Sequence, residues 1–326
     1  MTVCSVVVLT YNSQDDISAC LDSVLDQSFG EDYEVIVADN NSTDRTTQIV
    51  ETEFPMVRLA EFDQNWGTAE GYNKAFERTT GEYVIYLNPD TVVHYQWLEE
   101  LHQTVTKTGA VAAHSCIFEP YHEEFSGLDR HADPDNRVMF ELTPLGFVTD
   151  QYTGKEAKET LFLSATSMII RRDVVMEMDE FFDKDLPMYG DDLDLSLRLA
   201  LSEYKTVHAP GSIVYHRQYQ KNNISSPYWL LKKYVWVTTS RSHAFYKAMS
   251  DKEYLFMLPR LFVAGIANVR VLRVSPWKKF LVFLASVFLS AFSLLYSLLK
   301  NRRYTRKRQR LSEKQKDSLY TRLIER

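Results

Sequence analysis

Tyr83-Val84-Ile85-Tyr86-Leu87-Asn88-Pro89-Asp90-Thr91 is the stretch on which the fold turns. Its apolar, largely β-favouring run predicts a buried strand, and Asn88-Pro89 stops that strand because proline cannot donate to a central ladder. Asp90 is then presented at a strand's carboxyl end. Ligands bind at that edge in open α/β sheets, so a lone carboxylate there is well sited to hold a divalent cation against phosphate oxygens. Taken alone, residues 88–91 read more simply as a turn that starts the next helix. The neighbouring stretches change that balance.

Upstream, Val3 to Leu9 is a β-rich apolar run that ends in the polar Thr10-Tyr11-Asn12. Ser13 and Asp16 look like a helix start, and Ile17, Cys20, Leu21, Val24 and Leu25 then share one helical face. Glu34 to Ala38 predicts a second strand. The polar loop Asp39-Asn40-Asn41-Ser42-Thr43-Asp44 leads from it into a helix ending near Phe54. Val57 to Leu59 is a weaker third strand, and a helix near Ala69 to Thr79 precedes the Tyr83 strand. Another helix carries Trp97, Leu98, Leu101 and Val105. Strands alternating with helical patterns predict βαβ units, hence an α/β fold with a mainly parallel central sheet.

Downstream of a short strand at Val111 to Ala113, the signal fades. Residues 118–160 show little periodicity and read as functional loops on the acceptor side. His114, His122 and His131 lie in or near this stretch at a spacing that fits no metal motif, so they read as packed or solvated. Ser164 to Ile170 restores a strand. Met188 to Arg198 alternates like a strand, yet Leu193, Leu197, Ala200 and Leu201 also share a helical face and Asp191-Asp192 suits a helix start. Helix is the expectation. Val207-His208 and Ile213 to Tyr215 frame a Pro210-Gly211 turn and leave His216 at a strand end.

The formal net charge of −7 conceals an asymmetry: the last 51 residues carry +10 and the first 275 carry −17. An acidic body argues against nucleic acid as a partner, while a basic tail suits an anionic membrane surface. Cys4, Cys20 and Cys116 are widely spaced with no C-x-x-C pair, which suits a reducing compartment and gives no sign of zinc. Residues 1–9 lack a basic n-region and a long enough apolar stretch for a signal peptide, so the expected location is the cytoplasmic face of a membrane.

The final third differs in character. Leu255 to Val274 is apolar but interrupted by Pro259, Arg260, Arg270 and Arg273, whereas Phe280 to Leu299 has no charge over 20 residues, enough to cross a bilayer. Ser286, Ser290, Ser293 and Ser297 share one helix face there, as small polar residues do where membrane helices pack, which suggests a homo-oligomer. A basic run from Lys300 to Arg310 follows. A single crossing would place that run outside, against the positive-inside tendency, so a hairpin or an interfacial anchor over residues 255–310 is expected. The expected domains are 1–250, with a nucleotide-sugar half to about 115 and an acceptor half from 116, and 251–326 as a membrane-associated helical segment.

Together these motifs resemble glycosyltransferase family 2, especially its rhamnosyltransferase-like members. The resemblance rests on Ser5 to Asn12, Val37 to Asp44, Leu87 to Thr91, Tyr189 to Asp194 and His216 in that order, and spans about residues 3–220. It implies a nucleotide-binding domain of the GT-A type and inverting transfer from a nucleoside-diphosphate sugar, with magnesium or manganese as cofactor. Carried onto this chain, Thr10, Tyr11 and Asn12 would line the nucleotide and Asp39 would accept from the base. Asn65, Gly67 and Asn73 would lie near it. Asp90 matches the last carboxylate of the family's metal triplet, with Asn88 where many members have Asp, and His216 would assist Asp90. Asp192 matches the catalytic base; Asp191, where the family usually has Glu, would face the acceptor or cap the helix, and Asp194 reads as structural.

The tail makes a lipid-linked, polyprenyl-type saccharide the expected acceptor. Two other classes fit the residues less well. A sugar nucleotidyltransferase or dinucleotide oxidoreductase needs a Gly-rich phosphate loop, which Thr10-Tyr11-Asn12-Ser13 does not supply. A membrane scaffold that binds nucleotide sugar without turning it over has no need of both Asp90 and Asp192.

Overall fold

The computed structural model describes residues 2–118, 128–132, 137–143, 148–178, 180–186, 189–217, 227–249, 251–268 and 288. The chain divides into two compact units, one of Met1–Phe140, Asp150–Lys184 and Tyr204–Tyr219, the other of Glu141–Thr149, Asp185–Glu203 and Gln220–Arg326.

The first unit is built on one sheet. Its strands are β1 (Cys4–Thr10), β2 (Tyr33–Asp39), β3 (Arg58–Glu61), β4 (Tyr83–Leu87), β5 (Thr91–Val93), β6 (Ala112–Phe118), β9 (Lys158–Glu159), β10 (Ser167–Arg171) and β11 (Thr206–His216). The order across the sheet is β3-β2-β1-β4-β10-β6-β11-β5, with β9 beside β11. Between β6 and β9, Arg137–Leu142 (β7) and Val148–Thr153 (β8) pair as a two-stranded ribbon. The stretch 118–160 therefore contains strands, not loops alone. Arg137–Leu142 is largely apolar, with Met139 and Leu142 buried, but a run of six residues between polar, Gly- and Pro-containing flanks is too short for its period to mark a strand.

The sheet is mixed, not mainly parallel. β1 to β4 and β6 to β11 follow the parallel rule, but β10 runs antiparallel between β4 and β6, and β5 is antiparallel to β11. Local period marks a strand without fixing its direction, so the insertion of β10 was not readable from its own residues. Pro210-Gly211 likewise makes no turn. β11 passes through it as one strand whose register against β6 shifts between Ala209 and Ile213, a bulge that accommodates the missing proline N–H.

Helices cover both faces. On one, α1 (Ile17–Leu25), α2 (Thr46–Glu53) and α4 (Trp97–Thr108) bury Ile17, Leu21, Ile49, Trp97 and Leu101 against Val6, Val8, Val37 and Ile85. Trp97 Nε1 donates to Ser115 and Ser167 at 3.1 and 3.0 Å, so this core's largest side chain is also satisfied as a donor. On the other face, α3 (Gly67–Phe76) sets Tyr72 edge-on to Tyr86 with ring centroids 4.5 Å apart, beside Phe181 and Phe182. A short helix, α5 (Arg172–Met176), follows β10. His114 and His208 face each other across β6 and β11, fully buried, and His131 is exposed beside Tyr95. His122 lies outside the described residues.

In the second unit, α6 (Asp191–Leu201) packs on α7 (Pro227–Ala248), which packs on α8 (Asp251–Asn268). The expected helix at Asp191 is present. Gly190 precedes it at φ +83, and a Cβ there would come within 2.9 Å of Ser240 Cβ, so both the backbone and the approach of α7 require glycine. Asp191, Asp192 and Asp194 in the first turn and Arg198 in the last suit the helix dipole. Asp194 bonds Arg198 Nε at 2.8 Å and Lys247 Nζ at 2.7 Å, which makes it the tie between α6 and α7. Among the described residues no helix is long and apolar enough to cross a membrane. Phe280 to Leu299 and the basic run after it lie outside the described residues, apart from Phe288.

Candidate active site

At the carboxyl ends of β1 and β2, Thr10 and Asp39 are register partners, and Thr10 Oγ1 donates to Asp39 Oδ1 at 2.8 Å. The loop after β2 turns back at Asn41 (φ +64), and Ser42 donates its N–H and hydroxyl to the same carboxylate at 2.7 and 2.5 Å. Asp39 thus accepts three hydrogen bonds, which leaves about one of its four lone-pair sites for a further donor. Asn12, at φ +54, donates its N–H to Ser42 Oγ and accepts from Thr43 N–H. Both loops are therefore tied to each other. Tyr11 stands half exposed at the same corner.

Asn40 extends this corner to α3, accepting from Trp66 N–H at 2.8 Å and donating to the Gly67 carbonyl at 2.9 Å. Asn65 accepts from Gly67 N–H at 2.8 Å. Thr10, Tyr11, Asn12, Asp39 and Asn65 therefore belong to one connected polar edge. Asn73 does not join it. It lies within α3 and clamps the main chain of Phe182, donating to its carbonyl and accepting from its N–H at 2.9 Å each.

The second constellation forms where β5 meets the end of β11. Thr91 pairs with His216 in the ladder, and His216 Nε2 lies 3.1 Å from Asp90 Oδ1. Both side chains are partly buried. Arg217 N–H donates to the Asp90 carbonyl at 2.9 Å, and Arg217 Nη1 lies 2.7 Å from Asp16 Oδ1. Asn88 accepts from Tyr72 Oη at 3.3 Å. The 88–91 segment is thus a turn that enters a strand and not a helix. Three residues of β5 are too few to show a period.

An oxygen and an imidazole nitrogen on one edge fit a hard divalent cation that fills the rest of its shell with water and phosphate oxygens. They would not suffice as a closed protein cage, and among the described residues no group of three or more His, Cys, Asp or Glu could hold a metal.

In the second unit, Asp191 and Asp192 open α6. Burial first, then the charge of Asp191, pushes the Asp192 carboxyl up to about 7, against the Leu193 N–H and Arg241. Burial likewise raises Asp191, with Asp194 adding to it. A carboxylate tuned towards neutral pH is suited to take a proton from a hydroxyl. Leu193 N–H donates to Asp192 Oδ1 at 2.8 Å, which orients the group. Asp16, Ser42, Tyr72, Lys247, Arg217 and Arg241 were not singled out by sequence as site residues. Each acts through a partner distant in sequence or within a polar loop, and a single chain displays neither pairing.

Residues 5–179 match the family model described as glycosyl transferase family 2. Among curated proteins, the chain is similar to Glycosyltransferase AglE of Haloferax volcanii, 25% identical over 185 residues that make up 54% of this chain and 55% of that one. It is also similar to the SPbeta prophage-derived glycosyltransferase SunS of Bacillus subtilis, 31% identical over 140 residues, 41% of this chain and 30% of that one. The chain spans about half the length of these relatives or less. Among solved structures, S. aureus TarS 1-349 in complex with UDP-GlcNAc matches with a TM-score of 0.59 and 20% identity, over 85% of this chain and 78% of that one. Mannosyltransferase PcManGT from Pyrobaculum calidifontis, in complex with GDP-Man and Mn2+, matches with a TM-score of 0.56 and 17% identity, over 91% and 86%. These likenesses show a GT-A-like α/β fold with a mixed sheet.

Proposed function

This chain belongs to glycosyl transferase family 2, and from that premise we propose that it moves a sugar with inversion from a nucleoside-diphosphate sugar to an acceptor hydroxyl. The observation that carries the reading is Asp90 beside His216, two residues far apart in sequence brought to 3.1 Å at a sheet edge. Solved neighbours in complex with UDP-GlcNAc and with GDP-Man and Mn2+ support a nucleotide-sugar donor and a divalent cation.

In this reading Thr10, Tyr11, Asn12 and Asn65 hold the nucleotide, and Asp39 accepts from the base with its remaining lone pair. Asn88, whose side-chain oxygen accepts from Tyr72 Oη, lines the donor side. Asp90 and His216 hold the cation, magnesium or manganese, which when bound offsets charge on the leaving diphosphate. Asp192 takes the proton of the acceptor hydroxyl as that oxygen attacks the anomeric carbon, and Asp191 keeps its carboxyl basic enough for that work near pH 7. The acceptor is a lipid-linked saccharide at the cytoplasmic face of a membrane, reached through residues 255–310. Support for that part is the uncharged run 280–299 and the basic block that follows it in the sequence.

The test is nucleoside-diphosphate release from UDP-, GDP- and dTDP-sugars by purified protein, with and without membrane lipid extract and EDTA. One donor consumed only with extract and cation is the expected result. Turnover on soluble acceptors alone overturns the lipid-linked acceptor, and nucleotide binding without turnover on any extract favours a binding protein.

A further inference from the structure

We propose that Asp16 is a positioning residue for the Asp90–His216 pair, acting through Arg217; the inference rests on that pair's holding a divalent cation. Asp16 is the residue before α1, its side chain 5% exposed and its Oδ1 2.7 Å from Arg217 Nη1. Arg217 directly follows His216. Its main-chain N–H is bonded to the Asp90 carbonyl at 2.9 Å. The chain leaving β11 is therefore fastened twice, by its backbone to Asp90 and by its guanidinium to Asp16.

Asp16 is itself fixed. Its N–H donates to the Ser13 carbonyl at 3.0 Å, at the end of the loop that carries Thr10, Tyr11 and Asn12. Four residues on, Cys20 Sγ lies 3.8 Å from the Asn88 carbonyl and 3.9 Å from Thr91 Oγ1. The start of α1 thus braces both the polar nucleotide loop and the turn that presents Asp90. His216 sits at the last ladder pair of β11, and just beyond it the Arg217 N–H bond to the Asp90 carbonyl is the backbone tie at this end. The Asp16–Arg217 ion pair adds a side-chain restraint to that single backbone bond, and it sets the His216 ring against Asp90. Outer partners of this kind orient a ligand without touching the cation.

The experiment is titration of the full chain with Mn2+, alone and with UDP or GDP, read by electron paramagnetic resonance of free Mn2+. Wild type is compared with Asp16→Asn, Asp16→Glu, Arg217→Gln and Asp90→Ala. Asp16→Asn and Arg217→Gln are each expected to weaken Mn2+ binding about tenfold, with nucleotide affinity in EDTA unchanged and Asp16→Glu restoring most of the loss. If Asp90→Ala weakens Mn2+ binding while Asp16→Asn and Arg217→Gln leave it at the wild-type value, the positioning role is overturned. If Asp90→Ala itself has no effect, the cation reading falls, and this inference with it. Should Asp16→Asn not fold, Arg217→Gln carries the same comparison.

Discussion

Lys247 on α7 reaches Asp194 on α6 at 2.7 Å, and both side chains are almost fully enclosed, 10% and 1% exposed. Asp194 has Arg198 as a second partner, but removing Lys247 leaves a buried carboxylate with less than its full compensation. Lys247→Met is therefore expected to destabilise the protein by about 3 kcal/mol, measured as a shift in the denaturant midpoint of α6–α7 helicity. A loss under about 1 kcal/mol would mean that the pair behaves like a surface bridge.

How much of this could be read in the sequence depends on the range over which each feature is encoded. Val6, Val8, Ile36 and Ile85 announce their strands because each is buried among neighbours of the same run. The helix at Asp191 was legible from its acidic start, although Leu193, Leu195 and Leu197 alternate as in a strand. What was not legible is pairing. Nothing local to Ser167–Arg171 shows that it will enter the sheet antiparallel between β4 and β6. Asp90 and His216 each stand out through the resemblance, but their juxtaposition depends on β5, a strand of three residues. Asp16 and Lys247 carry their meaning in partners some 200 and 50 residues away.

His114 and His208 form the clearest pH liability. Their rings lie 4.8 Å apart, and neither ring nitrogen of either residue has a hydrogen-bond partner among the described residues. Burial, with Lys158 adding to it, holds His208 down at about 3, and burial and the facing imidazole hold His114 well below the usual histidine range. The folded state thus refuses protons that the unfolded chain accepts, so stability is full above about pH 6.5 and falls as pH drops below it. At pH 5 the cost is about 2 kcal/mol for His208. His208→Leu is expected to narrow the difference in Tm between pH 7.5 and pH 5. An unchanged difference would show that the acid sensitivity arises elsewhere.

Gly190→Ala tests the turn that presents the two carboxylates. A left-handed backbone costs a residue with a Cβ about 1–2 kcal/mol, and here that Cβ also meets Ser240 at 2.9 Å. Stability should fall by about 2 kcal/mol or more, with a loss of turnover exceeding any loss of nucleotide binding. A variant with wild-type stability would show that the turn relaxes freely.

Asp192→Asn and Asp191→Asn separate the roles of the adjacent carboxyls. Asp192→Asn is expected to lower kcat about 10²- to 10⁴-fold with nucleotide affinity retained. In the wild type, kcat should rise with pH through about 7 as Asp192 loses its proton, because only the carboxylate can accept one. Asp191 is the largest charge raising that value, so Asp191→Asn removes a repulsion and favours the Asp192 carboxylate at lower pH. The acid limb of the pH–rate profile should then move to lower pH while activity at pH 8 persists. A limb that stays in place means that Asp191 does not tune the base. A limb lost altogether in Asp191→Asn means that the base has been assigned to the wrong carboxylate of the pair.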